Sequence, residues 1–267
     1  MKPRTPGFWL IVAAVGLMAL LPMHALAGLS PAEVLKFQNC MAKAKKGDVI
    51  SQYNAGVYYR NGDGVPRDLV QSLYWYRKAA EQGYLNAQYR LGELYHQGFG
   101  VAKDDLEAFK WFSKAADQRH TQAQYNVGHF YEKGYGVTRD LKMAFYWYGH
   151  AAAQGYAMAQ FNVGYCYANG LGVEKNHIHA VSWYRRAAMQ GDAIAQHNLA
   201  DYYAKGEGVA KNELDAYVFY SLAGTLDVEA SNKAAVLEKK LSRSDVAAGQ
   251  SRIKELQKKI ERTQIGK

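Results

Sequence analysis

The apolar residues of this chain follow the period of an α-helix and change phase at regular intervals. In residues 83–118 a first apolar stripe has the spacing i, i+4, i+7 and i+8, and it consists of Ala87, Leu91, Leu94 and Tyr95. A second stripe follows, and it consists of Ala108, Trp111, Phe112, Ala115 and Ala116. Gly98 and Gly100 lie between the two stripes, and glycine readily adopts the left-handed conformation that ends helices. The pattern therefore predicts a helical hairpin, and we expect Asp104 to cap its second helix.

This hairpin pattern recurs every 36 residues without an insertion, in five units that begin at Gly47, Gly83, Arg119, Gly155 and Gly191. Glutamine stands at one position of every unit, namely at Gln52, Gln88, Gln124, Gln160 and Gln196. Tyrosine recurs at Tyr59, Tyr95, Tyr131, Tyr167 and Tyr203, and a G-x-G-V tetrapeptide recurs at 62–65, 98–101, 134–137, 170–173 and 206–209. Five copies in register are a strong indication of a repeat protein.

One hairpin cannot bury its own apolar stripe, but stacked hairpins can. The glycines at 56, 92, 128 and 164 fall inside predicted helices, where each costs about 1 kcal/mol relative to alanine. Their recurrence suggests that the paired helix packs too close for a Cβ. The sequence thus predicts an all-α protein, a right-handed α/α solenoid with a concave inner face.

Both ends of the repeat array have the pattern of helical caps. Ser30-Pro31-Ala32-Glu33 is a capping box that is expected to open a helix running to about Lys46. We therefore divide the chain into an N-terminal cap helix (28–46), five repeats (47–226) and C-terminal capping helices (227–267). Helices over 228–241 and 245–262 form a degenerate sixth hairpin, with apolar residues Val246, Ile253, Leu256 and Ile260 on one face of the last helix.

The combined pattern A-x-x-x-L-G-x-x-Y, G-x-G-V, D-x-x-x-A-x-x-W-Y and A-A over 47–224 resembles the SLR (Sel-like) repeat family, a relative of the tetratricopeptide repeats. This resemblance implies an adaptor or assembly scaffold, as in many bacterial envelopes. The chain departs from the pattern at Arg119, Ala200, Phe219 and Gly224, and it has Ser51 and Ser72 where alanine is usual. A cysteine-rich branch of the family has reported activity on β-lactams, but this chain lacks the paired cysteines of that branch.

Residues 1–27 have the pattern of a secretory signal peptide. Lys2 and Arg4 precede an uncharged run of 14 residues, 8–21, and Ala25-Leu26-Ala27 gives a cleavage site before Gly28. The run is short for a membrane span, which needs about 20 residues, although an uncleaved anchor is the alternative. We expect a periplasmic or secreted mature protein.

The net charge of +9 is concentrated at the two ends of the chain. Residues 47–228 carry 17 basic and 18 acidic side chains, whereas 229–267 carry 10 basic and 5 acidic ones. A body without a basic excess argues against nucleic acid as a partner. The last helix carries Arg252, Lys254, Lys258, Lys259 and Arg262, which form either a solvated cap or a surface for a partner or an anionic membrane.

The residues that could carry chemistry give no constellation. The G-x-G-V loops lack the Gly-Lys-Ser/Thr of a phosphate loop, so we interpret them as helix ends. His177-x-His179 would need a third ligand to hold a metal. Cys40 and Cys166 should lie roughly 30 Å apart, because helix pairs stack at about 10 Å per layer. We interpret Cys166 as a buried filler and Cys40 as a free thiol or an intermolecular link, and we predict no catalytic, metal-binding or cofactor-binding residues.

The most informative residues lie on the first helix of each hairpin, on turns that miss the apolar stripe. We name this set the polar face, and it consists of Asn54, Arg90, Glu93, Asn126, His129, Asn162, Tyr165, Asn198 and Asp201. Asparagine offers both a donor and an acceptor, so the set could pair with the backbone of an extended peptide. The alternative is that the asparagines bond the adjacent repeat.

The sequence as a whole predicts an exported, non-catalytic scaffold that binds a protein or peptide segment in its concave groove. Two alternatives stay open: an enzyme or regulator acting on peptidoglycan or β-lactams, which the family resemblance alone suggests, and a membrane-surface factor that uses the basic C-terminal helix.

Overall fold

The computed structural model describes residues 30–265, so the predicted signal peptide and its cleavage site at Ala27 and Gly28 lie outside the described residues. Within 30–265 every regular element is an α-helix, and there are thirteen of them. They are α1 (Pro31–Ala44), α2 (Val49–Asn61), α3 (Leu69–Glu81), α4 (Leu85–Gln97), α5 (Asp105–Asp117), α6 (Thr121–Lys133), α7 (Leu141–Ala153), α8 (Ala157–Asn169), α9 (His177–Ala188), α10 (Ala193–Lys205), α11 (Glu213–Ala223), α12 (Val228–Glu238) and α13 (Arg243–Ile265).

The helices form two compact units, one ending at Lys103 and the other beginning at Asp104. In the first unit, α1 to α4 pack in chain order, each helix on the next. In the second unit, α5 to α12 pack in the same way, and α13 packs back on α11. The even-numbered helices α2 to α10 are the first helices of the five repeats, and the odd-numbered helices α3 to α11 are the second helices. The predicted all-α solenoid of five repeats is confirmed.

The two predicted helix caps had different outcomes. Asp104 is the N-cap of α5, and its carboxylate accepts from the backbone N–H of Glu107 at 2.9 Å, as predicted. Ser30 is the N-cap of α1 and Pro31 opens the helix, as predicted, but the capping box is wrong because the Ser30 side chain makes no capping hydrogen bond. The N–H of Glu33 donates instead to the Ser30 carbonyl oxygen at 3.0 Å, which uses the donor that the hydroxyl would need. The helix ends at Ala44, two residues before the predicted end at Lys46.

The glycines inside the first helices have the predicted role. At Gly128 an added Cβ would lie 2.8 Å from Cδ1 of Tyr148 on the paired helix, which is closer than real Cβ contacts come. Gly56 has the same relation to Tyr76, at 2.6 Å. The missing side chain therefore lets a tyrosine ring of the paired helix approach the helix backbone closely.

The G-x-G-V loops end the first helices, as predicted, and they have a second role that was not predicted. Gly134 caps α6 with φ of 76°. Gly136, two residues later, also has positive φ, and its Cβ would lie 2.3 Å from the carbonyl oxygen of Asp105, the first residue of α5. The loop of one repeat thus rests on the start of the second helix of the preceding repeat.

A buried glutamine ties each first helix to the helix before it. Gln124 is only 4% exposed, and its Nε2 donates to the carbonyl oxygen of Ala116 at 3.2 Å. Its Oε1 accepts from Nε2 of Gln154 at 2.7 Å, which connects it to the end of the second helix of its own hairpin. Gln52, Gln160 and Gln196 bond alanine carbonyl oxygens in the same way.

The two predicted C-terminal helices are α12 and α13. Ile253 and Leu256 of α13 pack against the core of the last repeat, and Ile260 is buried. Arg252 pairs with Asp215 of α11 at 2.7 Å, so one of the predicted basic residues is neutralised within the fold. Within residues 30–265, none of the helices has both the length and the hydrophobicity that crossing a membrane requires.

Candidate functional site

In the first unit the polar face contributes Asn54, Arg90 and Glu93. Asn54 is exposed on α2, whereas Arg90 and Glu93 are partly buried on α4. Arg90 donates to the Glu93 carboxylate at 2.6 Å. Burial alone would lower the pKa of Arg90, but bonding to Glu93 and Tyr53 outweighs burial and raises it. Arg90 is therefore held in place as a permanent cation.

Arg90 and Glu93 line a cleft of about 320 Å³ that we name the arginine cleft. Its charged lining residues are three arginines and one glutamate, and its other walls are apolar or neutral. The full lining is Arg60, Arg67, Leu69, Tyr76, Arg90, Glu93, Leu94, Gln97 and Phe99. The sequence analysis missed Arg60, Arg67 and Tyr76, because it considered only the helix turns that carry Asn54 and its equivalents.

Tyr76 is fully buried beside this cleft, and its hydroxyl has no hydrogen-bond partner within the described part of the chain. Burial raises the pKa of Tyr76 to about 12, although the charges of Arg60 and Arg90 oppose the rise. The nearby Ser72 hydroxyl lowers this pKa slightly, but it donates its own hydrogen to the carbonyl oxygen of Gly56 at 2.8 Å. The Tyr76 hydroxyl is thus a neutral donor without an acceptor.

In the second unit the polar face lies on α6, α8 and α10. Tyr165, Asn198 and Asp201 line one cleft of about 220 Å³, together with Tyr184 and Lys205. Tyr165 is 46% exposed and also lines a small neighbouring cavity with Asn162. We name this opening, from Tyr165 to Lys205, the tyrosine cleft.

Two of the predicted asparagines interact with tyrosines of the neighbouring repeat. Asn162 bonds the hydroxyl of Tyr125, which lowers a pKa that burial raises. Asn198 acts in the same way on Tyr184, whose pKa is raised chiefly by burial. These contacts are those expected if the asparagines bond adjacent repeats. Asn126 and His129 lie half-buried on α6, and the His129 ring stacks on Tyr125 at 6.4 Å between centroids.

A cluster of charged side chains joins α10 of the last repeat to α12, and it was not predicted from the sequence. His197 Nδ1 lies 2.5 Å from the Asp227 carboxylate, and His197 Nε2 lies 2.9 Å from Lys233 Nζ. Lys233 also pairs with Asp201 at 3.0 Å and with Glu229 at 2.9 Å. Lys233 lies 36 residues after His197, one full repeat, so the repeat register was the available signal. Both nitrogens of the imidazole are engaged in fixing α12 to α10.

The histidine pair and the cysteines have structural surroundings. His177 Nδ1 lies 3.0 Å from the Tyr202 hydroxyl, and the His179 ring lies 5.0 Å from the Tyr167 ring. Across residues 30–265 no three His, Cys, Asp or Glu side chains come together in an arrangement able to hold a metal ion. Both thiols are free; Cys166 is buried, as predicted, and Cys40 donates to the carbonyl oxygen of Ser51 at 3.2 Å.

A third opening lies on the second helices rather than on the polar face. It has a volume of about 390 Å³ and is lined in part by Tyr146, Trp147 and His150 of α7. Its exposed aromatic residues make it the natural competitor of the tyrosine cleft as a contact surface in the second unit.

Comparison with known proteins assigns the family of the chain. The family model described as Sel1 repeat matches five consecutive segments, 49–84, 85–120, 121–156, 157–192 and 193–228. The chain belongs to the Sel1 repeat family. The first matched segment begins two residues after the predicted start at Gly47, at the first residue of α2. Sel1 repeat proteins are generally non-catalytic scaffolds for protein interactions.

Two solved structures are similar to this Sel1 repeat protein. One is c5321, a protective antigen present in uropathogenic Escherichia coli strains and displaying an SLR fold. It is 38% identical in sequence to this chain, with a TM-score of 0.73. The match covers 82% of this chain and 47% of the antigen. This chain thus corresponds to about half the length of that antigen. The other is a Sel1 repeat protein from Oxalobacter formigenes, with 33% identity and a TM-score of 0.66. The match covers 73% of this chain and 85% of the Oxalobacter protein. The comparison with curated proteins gave no match.

Proposed function

We propose that this Sel1 repeat protein is an exported adaptor that binds a segment of a partner protein along its polar face. The observation that carries the proposal is the contrast between the packing frame and the polar face. The frame repeats the same buried glutamine in every hairpin. The polar face instead presents a different side chain at corresponding positions, for example Glu93, His129, Tyr165 and Asp201.

This contrast is what a sequence-specific binding surface requires. Residues that hold the repeats together are enclosed by neighbours on every side, whereas residues that line the clefts also have a side open to a partner. The two clefts supply tyrosine and arginine, the residue types that dominate binding energy at protein interfaces. Tyr165 offers an exposed ring in the tyrosine cleft, and Arg90 offers a fixed cation in the arginine cleft.

Export is supported by the leader pattern of residues 1–27, with Lys2 and Arg4 before the apolar run and Ala27 before the cleavage site. Fractionation of cells that express the full chain tests this part of the proposal. The expected result is a periplasmic or secreted product that begins at Gly28. A product that stays in the membrane with residues 1–27 attached would contradict it.

Site-specific photo-crosslinking tests the binding face. A photoreactive benzoylphenylalanine replaces Tyr165 in the tyrosine cleft, and in a matched control it replaces Leu106 on α5, which is 52% exposed and lines none of the clefts described above. A third variant carries it at Tyr146, in the opening on α7. The variants are expressed as full chains, irradiated in the cell envelope fraction, and the adducts are identified by mass spectrometry.

The expected result is an adduct with one protein at position 165 and none with that protein at 106. An adduct at 146 but not at 165 would move the binding surface to the second helices and contradict the polar face as the site. Equal adducts at all three positions would indicate non-specific contact and contradict the proposal as well.

The C-terminal helix favours a secondary contact with an anionic surface. Its five predicted basic residues are all exposed, although Arg252 is paired with Asp215. Its apolar residues pack against the last repeat, so contact with a membrane would be electrostatic and would weaken with salt. Binding to vesicles of anionic lipid, compared with a Lys254→Gln, Lys258→Gln, Lys259→Gln variant, tests it; equal binding by both proteins would exclude this contact.

A further inference from the structure

The second helices of the repeats carry a buried aromatic ring at the same position, 36 residues apart, namely Tyr76, Phe112, Tyr148, Tyr184 and Tyr220. Four of the five are tyrosines, and each buried hydroxyl needs a hydrogen-bond partner. The way in which each hydroxyl obtains one differs between repeats, and that difference identifies a ligand.

In two repeats the chain itself supplies a carboxylate. The Tyr148 hydroxyl donates to Oε2 of Glu132 at 2.6 Å, and the Tyr220 hydroxyl donates to the Asp201 carboxylate. In a third repeat Asn198 contacts the Tyr184 hydroxyl and lowers a pKa that burial raises. In the two repeats with a carboxylate, the buried hydroxyl at this position therefore donates to a side chain of a first helix.

The first repeat lacks that acceptor. The position of Glu132 is taken by Arg60, and the position of Asp201 is taken by Val57. Asn198 follows Tyr184 by 14 residues, and the residue that follows Tyr76 by 14 is Arg90 of the second repeat, which is a donor and has no acceptor to offer. The Tyr76 hydroxyl is buried without a partner in residues 30–265, and it faces the arginine cleft.

The arginine cleft is positively charged, whereas the acceptor that Tyr76 lacks is a negatively charged carboxylate in other repeats. Three arginines and one glutamate line it, so it carries an excess of two positive charges. Arg90 already bonds Glu93 and Tyr53, but a guanidinium has five N–H donors in a planar fork that fits a carboxylate. Leu69, Leu94 and Phe99 form apolar walls that would contact the methylene groups of an acidic side chain.

We propose that the arginine cleft binds the carboxylate of a glutamate side chain in the partner segment, with Tyr76, Arg60, Arg67 and Arg90 as its donors. The bound carboxylate takes the place that Glu132 holds two repeats later. This inference deepens the proposed function and rests on it, because the glutamate belongs to the partner of the polar face. A side chain is favoured over a chain terminus because Glu132 shows that a glutamate meets the same tyrosine within this fold.

The test is a titration followed by NMR of the full chain carrying ¹³C-labelled tyrosine rings, with the Tyr76 signal identified by its loss in Tyr76→Phe. The first probe is a five-residue peptide with blocked ends and one central glutamate. The second is the same peptide with glutamine, and the third is the glutamine peptide with a free C-terminal carboxylate. Inorganic phosphate is the fourth probe.

The expected result is a saturable shift of the Tyr76 signal with the glutamate peptide, at an affinity at least about tenfold higher than for the glutamine peptide. Arg67→Gln should weaken binding by roughly threefold to tenfold. The matched control Arg139→Gln changes the arginine at the same register two repeats later, outside the cleft, and should leave binding unchanged.

A variant that fills the arginine cleft with a carboxylate of its own gives the most direct test. Arg60→Glu places a carboxylate where Glu132 stands in the third repeat, so it should abolish peptide binding while the protein stays at least as stable as wild type. If Arg60→Glu fails to fold, Arg67→Gln still decides the matter. Equal binding of the glutamate and glutamine peptides, or unchanged binding in Arg67→Gln, would overturn the proposal. Stronger binding of phosphate or of the C-terminal carboxylate would overturn the assignment to a glutamate side chain.

The outcome is separable from that of the proposed function, because the peptides test the cleft without the partner. Glutamate binding without a specific adduct at Tyr165 would keep the cleft and contradict the adaptor. A specific adduct at Tyr165 with no preference for the glutamate peptide would support the adaptor and contradict the glutamate site in the cleft.

Discussion

The Tyr148 hydroxyl donates to the Glu132 carboxylate at 2.6 Å from a ring that is only 1% exposed. Tyr148→Phe removes this donor while the ring keeps its packing. Because the bond joins a neutral donor to a charged acceptor, we expect a loss of about 1 to 3 kcal/mol in the free energy of unfolding. Tyr76→Phe is the matched control, since its hydroxyl is buried without a partner in the described residues, and it should leave stability unchanged or raise it. Urea unfolding measures both, and equal losses would contradict the comparison.

The same pair predicts a pH dependence. Burial alone would raise the pKa of Glu132, but hydrogen bonds from Lys133 and Tyr148 outweigh burial and hold it below its ordinary value. A carboxyl whose pKa is lower in the folded state stabilises the fold above its unfolded pKa, about 4.3, and this stability is lost as the pH falls through the folded pKa. Tyr148→Phe removes one cause of the lowering. Its stability should therefore fall less than that of wild type between about pH 5 and pH 2, and an unchanged pH slope would contradict the assignment.

Two glycines with positive φ differ in the space available for a side chain. Gly136 and Gly155 both have positive φ, but only Gly136 would place a Cβ against backbone, 2.3 Å from the Asp105 carbonyl oxygen. Nothing lies within 4 Å of a Cβ at Gly155. We expect Gly155→Ala to cost about 1 kcal/mol from backbone strain and Gly136→Ala to cost at least about 3 kcal/mol, because the loop must move off α5. Thermal unfolding of the two variants measures the difference, and similar midpoints would exclude the backbone contact.

Replacing a buried glutamine should reduce the free energy of unfolding more than replacing an exposed glutamine on the same helix. Gln124→Met keeps the volume but leaves the Ala116 carbonyl oxygen without its partner and removes one of the two acceptors of the Gln154 amide, so it should cost about 1 to 3 kcal/mol. Gln122 is exposed on the same helix, and Gln122→Met should stay within about 0.5 kcal/mol of wild type. Denaturant titration of both variants checks the prediction; equal stability would show that the glutamine bonds contribute nothing.

The two thiols should differ in reactivity. Burial raises the pKa of Cys166 to about 12, so at pH 8 only about one molecule in ten thousand is a thiolate. Burial and the charge of Asp48 also raise the pKa of Cys40, but Cys40 is partly accessible. Iodoacetamide at pH 8 should modify Cys40 while Cys166 reacts only after unfolding. Mass spectrometry of Cys40→Ser and Cys166→Ser variants measures the rates, and comparable rates would contradict the burial of Cys166.

Much of the architecture could be predicted because local residue types repeat in register. The 36-residue spacing, the glycine turns and the apolar stripes predicted the helices and their stacking. The prediction failed at Ser30, where backbone geometry decides whether the hydroxyl or the carbonyl oxygen bonds Glu33. That choice depends on the local geometry of the helix start, which residue identity does not determine.

The polar face was named from helix periodicity alone, and the structure engages its members very differently. Asn162 bonds a neighbouring tyrosine, Asp201 joins a charged cluster, and Arg90 lines a cleft. Periodicity places a residue on a face of a helix. It does not show which side chains from the next helix reach the same point, since those contacts join residues one or more helices apart.

By itself, the sequence determined the class of fold and the family, because a packing frame that repeats every 36 residues has only local and nearest-neighbour requirements. Only the tertiary structure decided which polar groups are satisfied. Tyr76 and Tyr148 hold the same position in the repeat, yet one faces Arg60 and the other a carboxylate. That difference comes from pairs of residues 16 apart on facing helices, and it depends on how far each side chain reaches in the assembled fold.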